Sequence, residues 1–271
     1  MATLEENINQ AIADFDAIQT AIQEKGVRVP KGTDTSEYAN LIRSVHEQGY
    51  GEGIKIGKQI SYDEFWDSFQ NNGKEYNYQY AFAGYQWNDT NFKPKYDIVI
   101  GAGYTGTNMF WSCPVTNIAE SLERQGVRLD TTNCGYFSSM FQNAVSTRIP
   151  EINATHAMDY NGNGLHNTFL NANVETIDKL VVVENVRFVS TFNGCTNLKN
   201  IVFEGVIGQD INLQWSTKLT HDSLMSAINT LKDYSADTSG TVHTITLGAD
   251  NIAKLTGDEL LMITNKRWQY G

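Results

Sequence analysis

Four segments in the middle of this chain can be laid over one another, and that repetition limits its possible folds more than any other feature. Phe110, Phe141, Phe169 and Phe192 are each followed three residues later by a small residue: Cys113, Ala144, Ala172 and Cys195. An aliphatic residue comes next (Val115, Val145, Val174, Leu198), and then an isoleucine eight or nine residues after the phenylalanine: Ile118, Ile149, Ile177 and Ile201. The phenylalanines are 31, 28 and 23 residues apart, and a weaker fifth copy begins at Phe82, 28 residues before Phe110. A unit of this length cannot bury a hydrophobic face alone. Neighbours must stack, so that the phenylalanine, small and isoleucine positions become ladders in a shared core. The expected fold class is α+β, built on an irregular solenoid of such units.

The ladders assign residues. Cys113 and Cys195 stand where other copies carry Ala144 and Ala172, which makes them small buried fillers rather than nucleophiles. The third cysteine, Cys134, completes no CxxC spacing, and an odd number cannot pair fully, so neither a zinc site nor a disulfide framework is expected. Each repeat isoleucine is expected in a short strand, because Val181, Val182 and Val183 after Leu180, and Val202 and Phe203 after Ile201, are strongly β-forming. By the two-residue period of a strand, Asn117, Arg148, Thr176 and Asn200 before the isoleucines, with Asp178 after one, line an exposed sheet face, the candidate binding face. The end of the chain reads as a cap. Thr220 opens a helix with Leu224, Met225, Ile228 and Leu231 on one side, Val242 to Leu247 alternates as a strand, and Asp258 to Thr264 forms a last helix.

Ahead of the repeats lies a different pattern. Leu4, Ile8, Ala11, Phe15, Ile18 and Ile22 alternate steps of four and three, the seam of three heptads, with Thr3 and Glu6 as a capping box and Gly26 as the stop. Two readings fit: an amphipathic helix lying on its own domain, or a parallel self-associating coiled coil. A second helix is expected from Thr35, with Tyr38, Leu41, Ile42 and Val45 on one face. Gly49, Gly53 and Gly57 then fall four apart, as a stripe for close backbone packing at an oligomer axis or as a flexible linker. The expected organisation is a helical oligomerisation and attachment segment over residues 1–58, the solenoid over 59–219, and a C-terminal helix-strand-helix cap over 220–271.

Charge narrows the partners. With 31 acidic against 20 basic residues and a net charge of -11, the chain lacks the cationic face that releases counterions from a phosphate backbone, so no nucleic acid partner is expected. No run approaches the roughly 18 apolar residues of a membrane span, and the N-terminus lacks the pattern of a secretory signal. The chain is therefore expected to be made in the cytosol without membrane insertion. No catalytic motif appears: His46, His156, His166, His221 and His243 have no metal-ligand spacing. Gly101, Gly103 and Gly106 have the outline of a dinucleotide loop without its βαβ context, and are read as a turn between repeats. Asp63 and Glu64 would serve a glycosidase only across a suitable cleft. The expectation is no enzyme, no cofactor and no metal. Trp87, Trp111, Tyr136 and Tyr160, set among Asn and Gly, suit stacking on the sugar rings of a glycan or packing in the core and rim.

The run holding Tyr62, Phe65, Trp66 and Phe69, the Phe82 to Trp87 and Phe92 to Tyr96 elements, the repeated phenylalanines, and the closing Lys218 to Thr220, Thr246 to Gly248, Lys254 to Thr256 and Asn265 to Trp268 together resemble the BspA-type leucine-rich-repeat proteins. These are encoded in tail or structural modules of phages and prophages of Firmicutes and other gut bacteria. The likeness covers roughly residues 60–271. Lys25, Gly26, Val27, Val29, Pro30, Gly32, Tyr38 and Ile42 are similar to a short helical module of phage tail and baseplate proteins. The resemblance implies a virion protein, a tail-fibre or baseplate-associated adhesin whose leucine-rich-repeat domain binds a host receptor. Its implied partners are further copies of itself, a trimer being favoured, other virion proteins through the N-terminal segment, and a host cell-surface glycan or protein. The alternatives are a purely architectural virion protein, such as a head fibre or baseplate spacer, and a bacterial surface adhesin with the same repeats.

Overall fold

Around each ladder phenylalanine the backbone makes the same tight turn, and the residues two before and two after it show why the sequence permits it. Tyr80, Asn108, Ser139, Asn167 and Ser190 all have φ between 53° and 59°, and Ser112, Asn143 and Asn171 lie between 51° and 57°, with Gly84 and Gly194 at 80° and 74°. This left-handed region is open to glycine and next most readily to short polar residues; seven of the ten positions carry Asn or Ser, two carry Gly, and Tyr80 is the tenth. The computed structural model describes residues 78–84, 87–102, 104–158 and 164–271. The heptad residues Leu4, Ile8, Ala11, Phe15, Ile18 and Ile22, the second helix and the glycine stripe lie outside them.

The turns stack through their backbones. Phe82 N–H donates to the Met109 carbonyl, Phe110 to Met140, Phe141 to Thr168 and Phe169 to Thr191, at 2.7 to 3.0 Å. Positions two residues on either side repeat the pattern, as in Asn108 to Ser138 and Ser112 to Gln142. The amides between them close the turn locally, as Trp111 does on Asn108 and Cys113 on Phe110. Alternate N–H groups are thus satisfied within a turn and by its neighbour, which is how an irregular segment can be buried at all.

Side chains follow the same register. Phe110, Phe141, Phe169 and Phe192 are buried and stacked, with centroids 5.1, 5.5 and 5.7 Å apart and planes within 10°. Phe82 extends the row at 5.1 Å from Phe110, and Trp87 and Phe92 close its end by edge contacts. Cys113, Ala144, Ala172 and Cys195 are buried beside the rings, as are Ile118, Ile149, Ile177 and Ile201. A further buried row stands four residues before the rings: Tyr78, Gly106, Phe137, Leu165 and Phe188. The Thr168 and Thr191 hydroxyls, one position before their rings, are buried because each donates to a carbonyl of the preceding turn, Phe137 and Leu165.

Short parallel strands connect the turns. β1 (Ile98–Val99) pairs with β2 (Leu129–Asp130). β3 (Arg148–Ile149) and β4 (Ile152–Asn153) both pair with β5 (Thr176–Val182), which pairs on its other side with β6 (Asn200–Gly205). Pro150, which has no N–H to give a ladder, stands between β3 and β4. Ile149, Ile177 and Ile201 lie in these strands, but Ile118 does not: it opens helix α1 (Ile118–Gln125). Its first turn is capped by the Asn117 side chain, which accepts the Glu120 N–H at 3.0 Å, and Gly126 ends it in the left-handed conformation. Here the local sequence decides. Ala119, Glu120, Leu122, Glu123 and Arg124 are helix formers, whereas Thr176, Ile177, Val181 and Val182 are all β-branched.

At the C-terminal side, α2 (His221–Thr230) lies along β6 in place of a further strand. Ser223 Oγ accepts the Ile201 N–H at 3.0 Å and Ser226 Oγ accepts that of Phe203 at 2.8 Å, so helix hydroxyls take up the edge amides. A last parallel sheet holds β7 (Ile211–Asn212), β8 (His243–Thr246) and β9 (Trp268–Tyr270), with α3 (Ala249–Ile252) and α4 (Gly257–Asn265) between β8 and β9. The Lys266 ammonium donates to the Ile228, Asn229 and Leu231 carbonyls at 2.8 to 2.9 Å, capping the C-terminal end of α2.

Candidate binding face

Arg148, Thr176 and Asn200 are register neighbours on β3, β5 and β6, so three of the five residues expected on one face form a row across the sheet. Asn117 is not in it, because its side chain is spent capping α1. Asp178 follows Ile177 and is held by Arg148, whose guanidinium grips it with two bonds of 2.7 and 2.8 Å and reaches Glu123 at 2.8 to 3.0 Å. These hydrogen bonds, donated to Asp178 above all and then to Glu123, push the already high pKa of Arg148 further up. The next residue on the same strand, Lys179, bridges Glu204 at 3.0 Å and Glu151 at 3.3 Å, and both raise its pKa. Each cation of this face is thus held between two carboxylates of the chain, so the six paired groups carry a net charge of two negatives.

A second face runs along the segments that lead into the turns. Thr105 bridges Tyr136, and Gly164 bridges Arg187, as parallel partners. Phe137, Leu165 and Phe188 point inward, so by the strand period the residues beside them point outward: Tyr136 and Ser138, His166, Arg187 and Val189. Tyr136, His166, Arg187 and Val189 are exposed and Ser138 is half-buried. The row was legible only through its inward partners. Tyr78, Phe137, Leu165 and Phe188 recur four residues before the ladder rings, a spacing that marks the intervening positions as outward.

No protein family, curated protein or solved structure matches the chain.

Two clefts adjoin these faces. One, of about 340 Å³, opens between α1, β2 and β4, where the helix stands in place of a strand; Ala119, Leu122, Val127 and Pro150 line it under Glu123, Arg128 and Glu151. Its carboxylates already have partners: Glu123 on Arg148, Asp130 on Arg128, Glu151 on Lys179. The other, of about 300 Å³, ends the second face and is lined by Arg187, Phe188, Val189, Gln209, Asp210 and His243. His243 is held in it by stacking on Tyr234 at 4.8 Å and by a tilted contact with Trp268 at 5.3 Å, with Nδ1 3.1 Å from Asp210 Oδ1. The same oxygen accepts the Thr244 N–H at 2.9 Å.

The remaining sequence expectations sort by burial. Cys113, Cys134 and Cys195 are buried, and loss of hydration pushes their thiols up to about 12, about 11 and about 12. Trp87 is fully buried against Phe82 and Phe92 and so is unavailable for stacking on a sugar, whereas Trp111 and Tyr136 are exposed; Tyr160 lies outside the described residues. The Tyr104 N–H donates to the Gly101 carbonyl, and Gly106 leads into a ladder turn rather than a helix. Among the described residues no group of three His, Cys, Asp or Glu is placed to hold a metal ion, and no helix is long and apolar enough to cross a membrane.

Proposed function

We propose that this chain is a bacteriophage virion structural protein, a tail-fibre or baseplate-associated adhesin that displays a leucine-rich-repeat solenoid for host receptor binding. The observation that carries this reading is the series of five turns held in one register by backbone bonds. Such a stack presents the same outward positions unit after unit, the arrangement that extended recognition surfaces use. The heptad seam from Leu4 to Ile22 supplies the means of multimerisation, and several copies displayed together raise weak single contacts to useful avidity. Two measurements test it. Light scattering on the full chain should give a homo-oligomer that falls to monomer when residues 1–48 are deleted, and labelled full-length protein should bind a subset of gut Firmicutes strains. A strictly monomeric full chain, or binding to none of the strains, overturns the proposal.

A second reading, a purely architectural virion protein, draws on the internally paired charges of the first face. Arg148 and Lys179 are satisfied internally, so that surface offers little to an external ligand. It predicts that the repeats bind isolated phage particles lacking this protein and no cells, so specific cell binding decides against it.

A further inference from the structure

The ladder of parallel strands opens between β2 and β4, and the opening is the larger cleft. These two strands hold the same place in consecutive units. The Asp130 and Asn153 side chains each accept the N–H two residues on, from Thr132 and Thr155, and Cys134 and Ala157 each donate to the residue three before, Thr131 and Ala154. At the junctions on either side the backbones bond directly: Ile98 N–H to the Arg128 carbonyl, Ile100 to Asp130, and Ala154 to Val181, at 2.8 to 2.9 Å. Between β2 and β4 no backbone bond forms. The Thr131 hydroxyl stands there as a spacer, donating to the Asn153 carbonyl at 3.0 Å and accepting the Asn153 N–H at 2.8 Å. Because Arg128 and Asp130 turn their carbonyls to β1, the N–H and carbonyl of Leu129 face β4, and the Glu151 carbonyl, two residues before Asn153, faces back. Neither the Leu129 N–H nor the Glu151 carbonyl has a hydrogen-bond partner among the described residues. We propose that this opened junction is a docking site for an extended, lysine- or arginine-bearing segment of a partner protein, which adds to β2 through the Leu129 backbone.

Backbone and charge select this occupant together. An exposed strand edge is a template for a further strand, whose main chain supplies the donor and acceptor that Leu129 lacks. The cleft floor of Ala119, Leu122, Val127 and Pro150 suits the aliphatic stem of a long basic side chain, whose head then reaches the rim at Glu123 and Glu151. Every carboxylate there is paired, yet each cation is shared. Arg148 lies between Asp178 and Glu123, Lys179 between Glu151 and Glu204, and Arg128 between Asp97 and Asp130. The nine groups therefore carry a net charge of three negatives, in a chain that carries -11 as a whole. Such a surface attracts a cationic segment and repels an acidic one without any pair having to break. The site is independent of the receptor-binding reading, since a strand can be supplied by any protein partner.

The test applies the full chain to a printed array of capped hexapeptides, β-branched throughout except for one central lysine, arginine, glutamine or glutamate. Binding to the lysine and arginine members is expected, and the best of them, followed by fluorescence anisotropy, should weaken as salt is raised. Glu151→Lys, which reverses an exposed rim charge, should lower its affinity about fivefold, and Asp222→Lys, the same change at the start of α2, should leave it within about twofold. Val127→Phe, which fills the cleft from a half-buried position, should lower it at least about tenfold. Circular dichroism and melting verify that each variant is folded. Bound peptide should also slow hydrogen exchange of the Leu129 amide at least about tenfold, a readout that charge alone would not move. Binding of no array member, equal binding of the glutamate and lysine members, or equal weakening by Asp222→Lys and Glu151→Lys overturns the proposal. Binding that leaves the Leu129 amide unprotected overturns the added strand.

Discussion

Removing one ring from the phenylalanine stack should cost the protein in two separable ways. Phe141 is fully buried, with its centroid 5.1 Å from Phe110 and 5.5 Å from Phe169 and its plane within 6° of both. Truncation to alanine loses transfer energy and leaves a cavity that the neighbouring turns, tied by backbone bonds, cannot close, together about 3–5 kcal/mol. Part of that belongs to the ring pairs themselves, about 0.5–1.5 kcal/mol for each offset stack beyond the area buried. A double-mutant cycle isolates it. Phe141→Leu with Phe169→Leu should show a coupling of about 0.5–1.5 kcal/mol in urea unfolding followed by tryptophan fluorescence. Phe110→Leu with Phe192→Leu, separated by two intervening rings, should add to within about 0.5 kcal/mol. Zero coupling for the adjacent pair, or equal coupling for the distant one, would refute the view that the rings act as contacting neighbours rather than as independent core filler.

Other consequences are open to direct measurement. Gly205 has φ of 94° and a Cβ there would collide with the Val182 carbonyl oxygen on the adjacent strand, so Gly205→Ala should destabilise by more than about 1–3 kcal/mol, read as a lowered Tm; an unchanged Tm would contradict that close approach. The three thiols, buried and pushed up to about 11 or 12, should resist a disulfide labelling reagent at pH 8 in the native protein and react at once in denaturant; full labelling of the native chain within minutes would count against their place in the core. Glu259 accepts the Thr256 N–H and contacts His221 Nε2 at 2.8 Å, and these hold its carboxyl below the ordinary glutamate value. A depressed carboxylate binds fewer protons folded than unfolded, so its stabilisation is present above pH 4.5 and lost as pH falls through the lower native value. Glu259→Gln should therefore flatten the acid limb of the stability profile, and an unaltered limb would exclude that role.

Much of the repeat was legible because its positions are chemically distinctive. A buried ring, a small residue and an aliphatic at fixed intervals survive large changes in the intervening length, so Phe82 through Phe192 could be aligned without knowing what lay between. The connecting arcs were not legible by the same logic. Ile118 occupies the ladder position of Ile149, yet its neighbours carry helix-forming side chains and a capping Asn117, and local preference there outweighs the pattern shared with other units. The candidate face was half read. Arg148, Thr176 and Asn200 share a row, but their spacing gave no hint that Arg148 would be clamped between Asp178 and Glu123, because the arginine and its two partners come from three different connectors. The second face escaped notice because its outward residues, Tyr136, His166 and Arg187, have nothing in common chemically. Only their buried neighbours repeat.

The chains of backbone bonds through the turns have an electrical consequence. The peptide between Met109 and Phe110 accepts from Phe82 and donates to Met140, and the peptide between Met140 and Phe141 accepts from Phe110 and donates to Thr168. Along such a chain every carbonyl points toward the earlier turn and every N–H toward the later one. Peptide dipoles of about 3.5 D each are therefore added head to tail across the units, as they are along the axis of an α-helix. The column of turns carries partial negative charge at its Phe82 end and partial positive charge at its Phe192 end, and each bond polarises the next. A unit added in register would deepen this field, and a unit inserted in reverse would oppose it, so the stack has a sense of growth written into its backbone.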